Sequence, residues 1–147
     1  MRASLLPPLI LAFLLFAACS DDKGEGGEVK VDLSEWAITP NVTSIENGDV
    51  TFDIDNKGPD HEHELVIIRT DFALDKLPTN DDGSVDEEAP GVDVVGQIQK
   101  VEPDDDGSGI FTLDPGKYVL ICNLVDEHEG EKTVHYQNGM RVAFTAQ

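Results

Sequence analysis

The sequence predicts an all-β protein folded as a two-sheet Greek-key β-sandwich of about eight strands. Three observations lead to this class. Short runs of β-branched and aromatic residues recur between turn signals, apolar and polar residues alternate within them, and no long stripe at the helical period interrupts the pattern. Runs at this spacing, each closed by a turn, are the signature of a sandwich rather than of a helical or mixed domain.

The elements follow in order. Val29, Val31 and Leu33 alternate with polar residues and form the first candidate strand; Val42 to Ile45 is the second. Asn47-Gly48 supplies a turn before Val50, Phe52 and Ile54, which alternate again. Leu65 to Ile68, Val94 to Val101 and Ile110 to Leu113 are the next candidates. Pro115-Gly116 then introduces Lys117 to Cys122, and Val142 and Phe144 alternate near the C-terminus. Two stretches read as lying outside the core. Thr70 to Asp93 carries eight acidic residues with Pro78, Gly83, Pro90 and Gly91, a long acidic excursion between strands. Asp104 to Gly109 reads as a charged turn facing solvent.

Ahead of the strands lies a targeting segment. Leu9 to Ala18 is an unbroken apolar run of ten residues behind a weakly positive Met1-Arg2, too short to span a bilayer. Leu15-Phe16-Ala17-Ala18-Cys19 resembles a bacterial lipobox, which implies a signal peptide over 1–18 and a diacylated Cys19. The polar, glycine-rich stretch up to residue 27 is then a linker reaching at most ~30 Å. Residues 28–147 remain as one domain's worth of chain, enough to bury a single core. The expected location is the periplasm or the outer face of the cell, with the membrane touched through the lipid anchor only.

Charge and cysteine usage narrow the function. The chain has 30 Asp and Glu against 10 Lys and Arg, a formal charge of −20, which argues against nucleic acid and anionic headgroups as partners. It suits a cationic partner, and equally the solubility of an exported protein. With Cys19 committed to lipid, Cys122 stands alone and no internal disulfide can form. A lone thiol in an oxidising compartment must be buried or bound to metal.

Candidate ligands for such a metal cluster around that thiol. Tyr118, Leu120 and Cys122 project to one face of a strand, so Cys122 sits where the interior meets the end of the sandwich. His135 and Met140 follow before the last strand, and His63 immediately precedes the apolar run from Leu65. Two imidazoles, a thiolate and a thioether are the donor set of a mononuclear type 1 (blue) copper site. Such a set suits copper in both oxidation states, whereas structural zinc would favour more cysteines.

These residues resemble the cupredoxins, in particular the small exported members related to plastocyanin, azurin and sulfocyanin. The resemblance spans roughly residues 29 to 147. It is carried by Asn56-Lys57-Gly58 leading to His63-Glu64-Leu65-Val66-Ile67, by Pro115-Gly116-Lys117-Tyr118-Val119-Leu120-Ile121-Cys122-Asn123, and by His135-Tyr136-Gln137-Asn138-Gly139-Met140. It implies His63, Cys122, His135 and Met140 as ligands of one copper ion. It also implies electron transfer with a redox partner protein, such as a cytochrome or oxidase domain with a positive docking surface, by a monomer that is not an enzyme.

The sequence departs from the family in two places, the spacing after Cys122 and Glu64, and His61 leaves a ligand choice open. Twelve residues separate Cys122 from His135 where two to four are usual, and this acidic insertion, expected to be exposed, contains His128, a rival imidazole with no Met close behind. His61 rivals His63 because the two share a face in an extended chain. Glu64 stands where the family often has Asn, which puts in question the usual hydrogen bond stabilising the Cys-bearing loop. Enzyme readings fare worse, since one His-X-His triplet cannot build a trinuclear copper cluster and no serine has a nucleophile-elbow pattern. The alternative is a non-redox module of the same fold that stores or delivers copper or binds protein.

Overall fold

The computed structural model describes residues 24–147; the expected signal peptide over 1–18 and the lipidated Cys19 lie outside the described residues. The described chain is nearly all strand. β1 (Gly27–Ser34), β2 (Ala37–Pro40), β4 (Gly48–Asn56) and β7 (Asp106–Leu113) form one sheet in the order β2-β1-β4-β7. β3 (Ser44–Ile45), β11 (Arg141–Ala146), β8 (Gly116–Ile121), β5 (His63–Arg69) and β6 (Asp93–Val101) form the second, in the order β3-β11-β8-β5-β6. β9 (Val125–His128) and β10 (Glu131–Val134) pair only with each other, and α1 (His135–Asn138) is a single turn. Before β1, Gly26 donates to the Asn47 carbonyl at 2.9 Å, so the chain is already tied to the fold there.

The sandwich is as expected, with differences in its parts. β2 and the β9–β10 hairpin are too short to stand out as apolar runs, and the stretch from Val42 condenses to the two residues of β3. Asp106 to Gly109 is strand rather than turn. Gly107 and Gly109 pair with Ile54 and Phe52 on β4, and a Cβ on either would press on Val101, Ile98 or Phe111 at about 3 Å. Glycine is present there because β6 of the opposite sheet comes close, not because the chain turns.

The excursion over Thr70 to Asp93 runs between β5 and β6 as expected, but a few of its residues are core rather than surface. β5 is buried on both faces: Leu65 and Ile67 pack between the sheets, while Val66 and Ile68 face outward against Leu77, Val85, Val119, Ile121 and Tyr136. Leu77 and Val85 are buried, and the Tyr136 hydroxyl donates to the Leu74 carbonyl at 2.9 Å. The excursion thus forms a third layer, with each large aliphatic side chain removed from water contributing about 1.5–3 kcal/mol. Its acidic residues concealed a sparse apolar face.

Strand direction brings five segment ends to one end of the sandwich. β5 starts there at His63; β8 runs in at Ile121 and β11 leaves at Arg141, paired with it. β4 ends at Asn56 and β1 at Ser34, adjacent through the Leu33 and Asn56 pairing.

Candidate metal centre

His63 is placed by a buried asparagine. Asn56 donates from Nδ2 to the carbonyls of Val101 (2.8 Å) and His61 (2.9 Å), and its Oδ1 accepts from the Gly58 amide (2.8 Å). These bonds pin the 57–62 loop, and His63 enters β5 fully buried. Cys122 follows directly from β8 and is equally buried. Its backbone N–H donates to the Met140 carbonyl at 3.1 Å, and the Met140 N–H donates to the His135 carbonyl at 3.1 Å. Met140 is wholly buried, and Gly139 makes the bend before it with φ 124°.

The long insertion between Cys122 and His135 turns out to be short-circuited. Of its twelve residues, ten (125–134) form the β9–β10 hairpin, whose base is closed by the Val125 and Val134 pair. The His135 N–H donates to the Leu124 carbonyl at 3.0 Å, so only Asn123 and Leu124 effectively separate thiol and imidazole. A hairpin returns the chain to its starting point, so its length does not alter the spacing it interrupts.

Three donor atoms converge as a result. His63 Nδ1 and His135 Nδ1 lie 3.2 Å apart, and Cys122 Sγ is 3.3 Å from the second and 3.9 Å from the first. A trigonal ion bound at ordinary metal–nitrogen and metal–thiolate lengths would separate such donors by about 3.5–3.7 Å. All three residues are fully buried, so water does not compete for the site. The donor set, two neutral nitrogens, one sulfur and Met140 on the adjoining turn, fits a soft or borderline ion.

Burial governs the protonation of the metal-free centre. It pushes the Cys122 thiol up to about 12, so the sulfur carries a proton that a metal must displace. Burial, reinforced by the neighbouring His135 ring, pushes His63 down to about 4, so that ring is neutral and ready to ligate. His135 is also lowered, by burial, against the opposing pull of Asp126.

Residues missed in the sequence close the centre. Trp36, the only tryptophan, lies with its ring centroid 4.9 Å from His135, 4.8 Å from His61 and 6.3 Å from His63. Its neighbour Glu35 accepts from the backbone of Asp60 (3.1 Å) and His61 (2.9 Å) and faces His63 Nε2 at 3.6 Å. Burial works to raise Glu35, and those backbone donors outweigh it, holding the carboxyl below its ordinary range. Asp126 accepts through Oδ2 from both His135 Nε2 (2.9 Å) and His61 Nδ1 (2.7 Å). A lone tryptophan beside an acid just after an alternating strand was the available signal for the first pair. Nothing in the sequence separated Asp126 from the other acids of the insertion.

His128 is exposed at the hairpin's far end and joins no donor cluster among the described residues. His61 stands beside the three-donor centre, bonded to Asp126. The insertion is not wholly exposed, since Asp126 turns inward, while Glu127, Glu129 and Glu131 do face solvent. Tyr136, the sequence neighbour of His135, packs into the outer layer, and the aromatic ring beside His135 is that of Trp36. Glu64 does not leave the Cys loop unsupported: its N–H points to Cys122 Sγ at 3.5 Å, and its buried carboxyl, raised by burial, meets Gln97 and the Asn123 backbone.

No protein-family model and no curated protein matches this chain. Solved structures do. The chain is similar to dithionite-reduced auracyanin from the photosynthetic bacterium Roseiflexus castenholzii, at 16% identity and TM-score 0.53, over 85% of this chain and 98% of that one. Auracyanin B aligns at 22% identity and TM-score 0.53, over 82% and 88% of the two chains. Auracyanin A, described as a "blue" copper protein from the green thermophilic photosynthetic bacterium Chloroflexus aurantiacus, aligns at 16% identity and TM-score 0.55, over 83% and 100%. At these identities the likeness is one of fold.

Proposed function

The chain has the cupredoxin fold, and from that premise we propose that it is an exported type 1 copper protein that carries single electrons between redox partners at the cell envelope. The observation that carries this reading is the buried triangle of His63 Nδ1, His135 Nδ1 and Cys122 Sγ at one end of the sandwich. Bound copper would supply a one-electron couple. His63, Cys122 and His135 would hold it, with Met140 as the weak fourth ligand that helps set its potential. The protein's part is rigidity: the donors stand on strand ends and hydrogen-bonded turns, so little rearranges when the charge at the centre changes.

Membrane attachment through Cys19 agrees with the topology. β1 enters at Gly27, paired with Val50, and reaches the metal end only at Leu33, paired with Asn56. A strand of this length covers about 25 Å, so in this reading the metal end lies opposite the end that the leash enters and is left free to face a soluble partner. The charge of −20 suits a partner with a positive docking surface.

The test is a copper(II) titration of residues 24–147 followed in the visible range. We expect an intense thiolate-to-copper band saturating at one equivalent and absent in Cys122→Ser. A wild-type protein that binds copper without that band would instead be a storage or delivery module.

A further inference from the structure

Each imidazole of the donor triangle has a carboxylate behind it. His135 turns Nδ1 toward Cys122 Sγ and His63, and its opposite nitrogen, Nε2, lies 2.9 Å from Asp126 Oδ2. His63 turns Nδ1 the same way, and its Nε2 lies 3.6 Å from Glu35 Oε1, just beyond hydrogen-bond length. Glu35 Oε2 and His63 Nε2 are the buried polar side-chain atoms without a partner among the described residues. The two carboxylates come from unrelated segments, the turn after β1 and the hairpin inserted after β8.

An ionised carboxylate only accepts hydrogen bonds, so an imidazole nitrogen hydrogen-bonded to it, as His135 Nε2 is to Asp126, must carry the ring proton. The other nitrogen is then a free lone pair aimed into the triangle. We infer that Asp126 and Glu35 are positioning residues of this centre: Asp126 holds the outer proton of His135, fixing the tautomer that ligates, Glu35 places its charge opposite the outer nitrogen of His63, and together they bias bound copper toward its oxidised state. The inference rests on the copper reading above. The bias has a simple electrostatic origin. With the thiolate bound, the centre carries one positive charge when oxidised and none when reduced, so nearby negative charge favours the oxidised form. Carboxylates behind ligand imidazoles also raise ligand basicity.

His61 supplies an internal control. Its Nδ1 donates to the same oxygen, Asp126 Oδ2, at 2.7 Å and so shares the carboxylate with His135. Removing His61 leaves Asp126 to His135 alone, whereas removing the charge of Asp126 takes it from both. Loosening of the hairpin in general would move both variants in the same direction.

The experiment measures copper(II) and copper(I) affinities and midpoint potentials at one pH for the full chain, wild type, D126N, E35Q and H61A. In D126N we expect copper(II) affinity to fall 10–100-fold. Copper(I) affinity should fall less, and the midpoint should rise by about 59 mV for each tenfold difference between the two. E35Q should shift the same way by less, and H61A should not raise the midpoint. An unchanged midpoint in D126N, or an equal rise in H61A, overturns the inference. In the metal-free wild type, nitrogen-15 NMR should show His135 protonated at Nε2; a proton on Nδ1 overturns it without reference to copper. Absence of copper binding by the wild type would refute the copper reading instead, and the NMR result would still decide the role of Asp126.

Discussion

The metal-free protein should be most stable in a window bounded by two of its own buried donors. His63 is pushed from 6.5 down to about 4 by burial and by the His135 ring. Between those values the unfolded chain binds a proton that the native ring refuses, so this contribution is complete above pH 6.5 and is lost as pH falls toward 4. The loss from this ring is about 2 kcal/mol at pH 5 and levels off near about 3 kcal/mol below pH 4. Cys122 bounds the other side. Burial raises its thiol from 9.0 to about 12, so its contribution is complete below pH 9 and is lost as pH rises, by about 1.4 kcal/mol at pH 10. Urea unfolding at pH 5, 7.5 and 10 reads both limbs. With a denaturant slope of about 1.5 kcal/mol/M, the His63 share lowers the wild-type midpoint by about 1.3 M between pH 7.5 and 5. His63→Gln should lack that drop and Cys122→Ser the alkaline one. Glu64, whose raised carboxyl acts with the opposite sign in acid, is present in every protein compared and cancels. Equal midpoint losses in wild type and His63→Gln between pH 7.5 and 5 would refute the reasoning.

Three further outcomes are expected. Asn56→Ala strands three backbone partners, two of them in buried bonds, and should cost about 3 kcal/mol in denaturant unfolding. It should also weaken metal binding, because the loop leading to His63 loses its anchor. Leu77→Ala should cost about 2–3 kcal/mol by thinning the outer layer while leaving the spectrum of the copper-loaded centre unchanged. Electron exchange with a cationic inorganic complex, followed by stopped flow, should slow as salt rises from 50 to 500 mM, and exchange with an anionic complex should quicken, as the chain's charge of −20 is screened.

Much of the donor set was legible because it lies on regular local patterns. Cys122 continues the alternation of Tyr118 and Leu120 at the end of a strand, and all three are buried between the sheets. His63 abuts a run that could only be a buried strand, and both residues reach one end because β5 and β8 are antiparallel neighbours. The outer layer was illegible for the opposite reason. Leu77 and Val85 are single apolar residues among acids, and only the exposed side of an already buried sheet shows that they have somewhere to pack.

The amino-acid sequence by itself determined that this is a β-sandwich with one cysteine among its strands, nearby imidazoles and a thioether, because alternation and ligand chemistry are local properties of the chain. The tertiary structure decided which imidazole belongs to the centre. In sequence, His128 is nearer to Cys122, yet hairpin pairing carries it outward and closes Leu124 onto His135. Structure alone also decided what surrounds the centre. Glu35, Trp36, His61 and Asp126 come from three separate segments with no shared motif, and their grouping depends on long-range strand pairing that no single segment encodes.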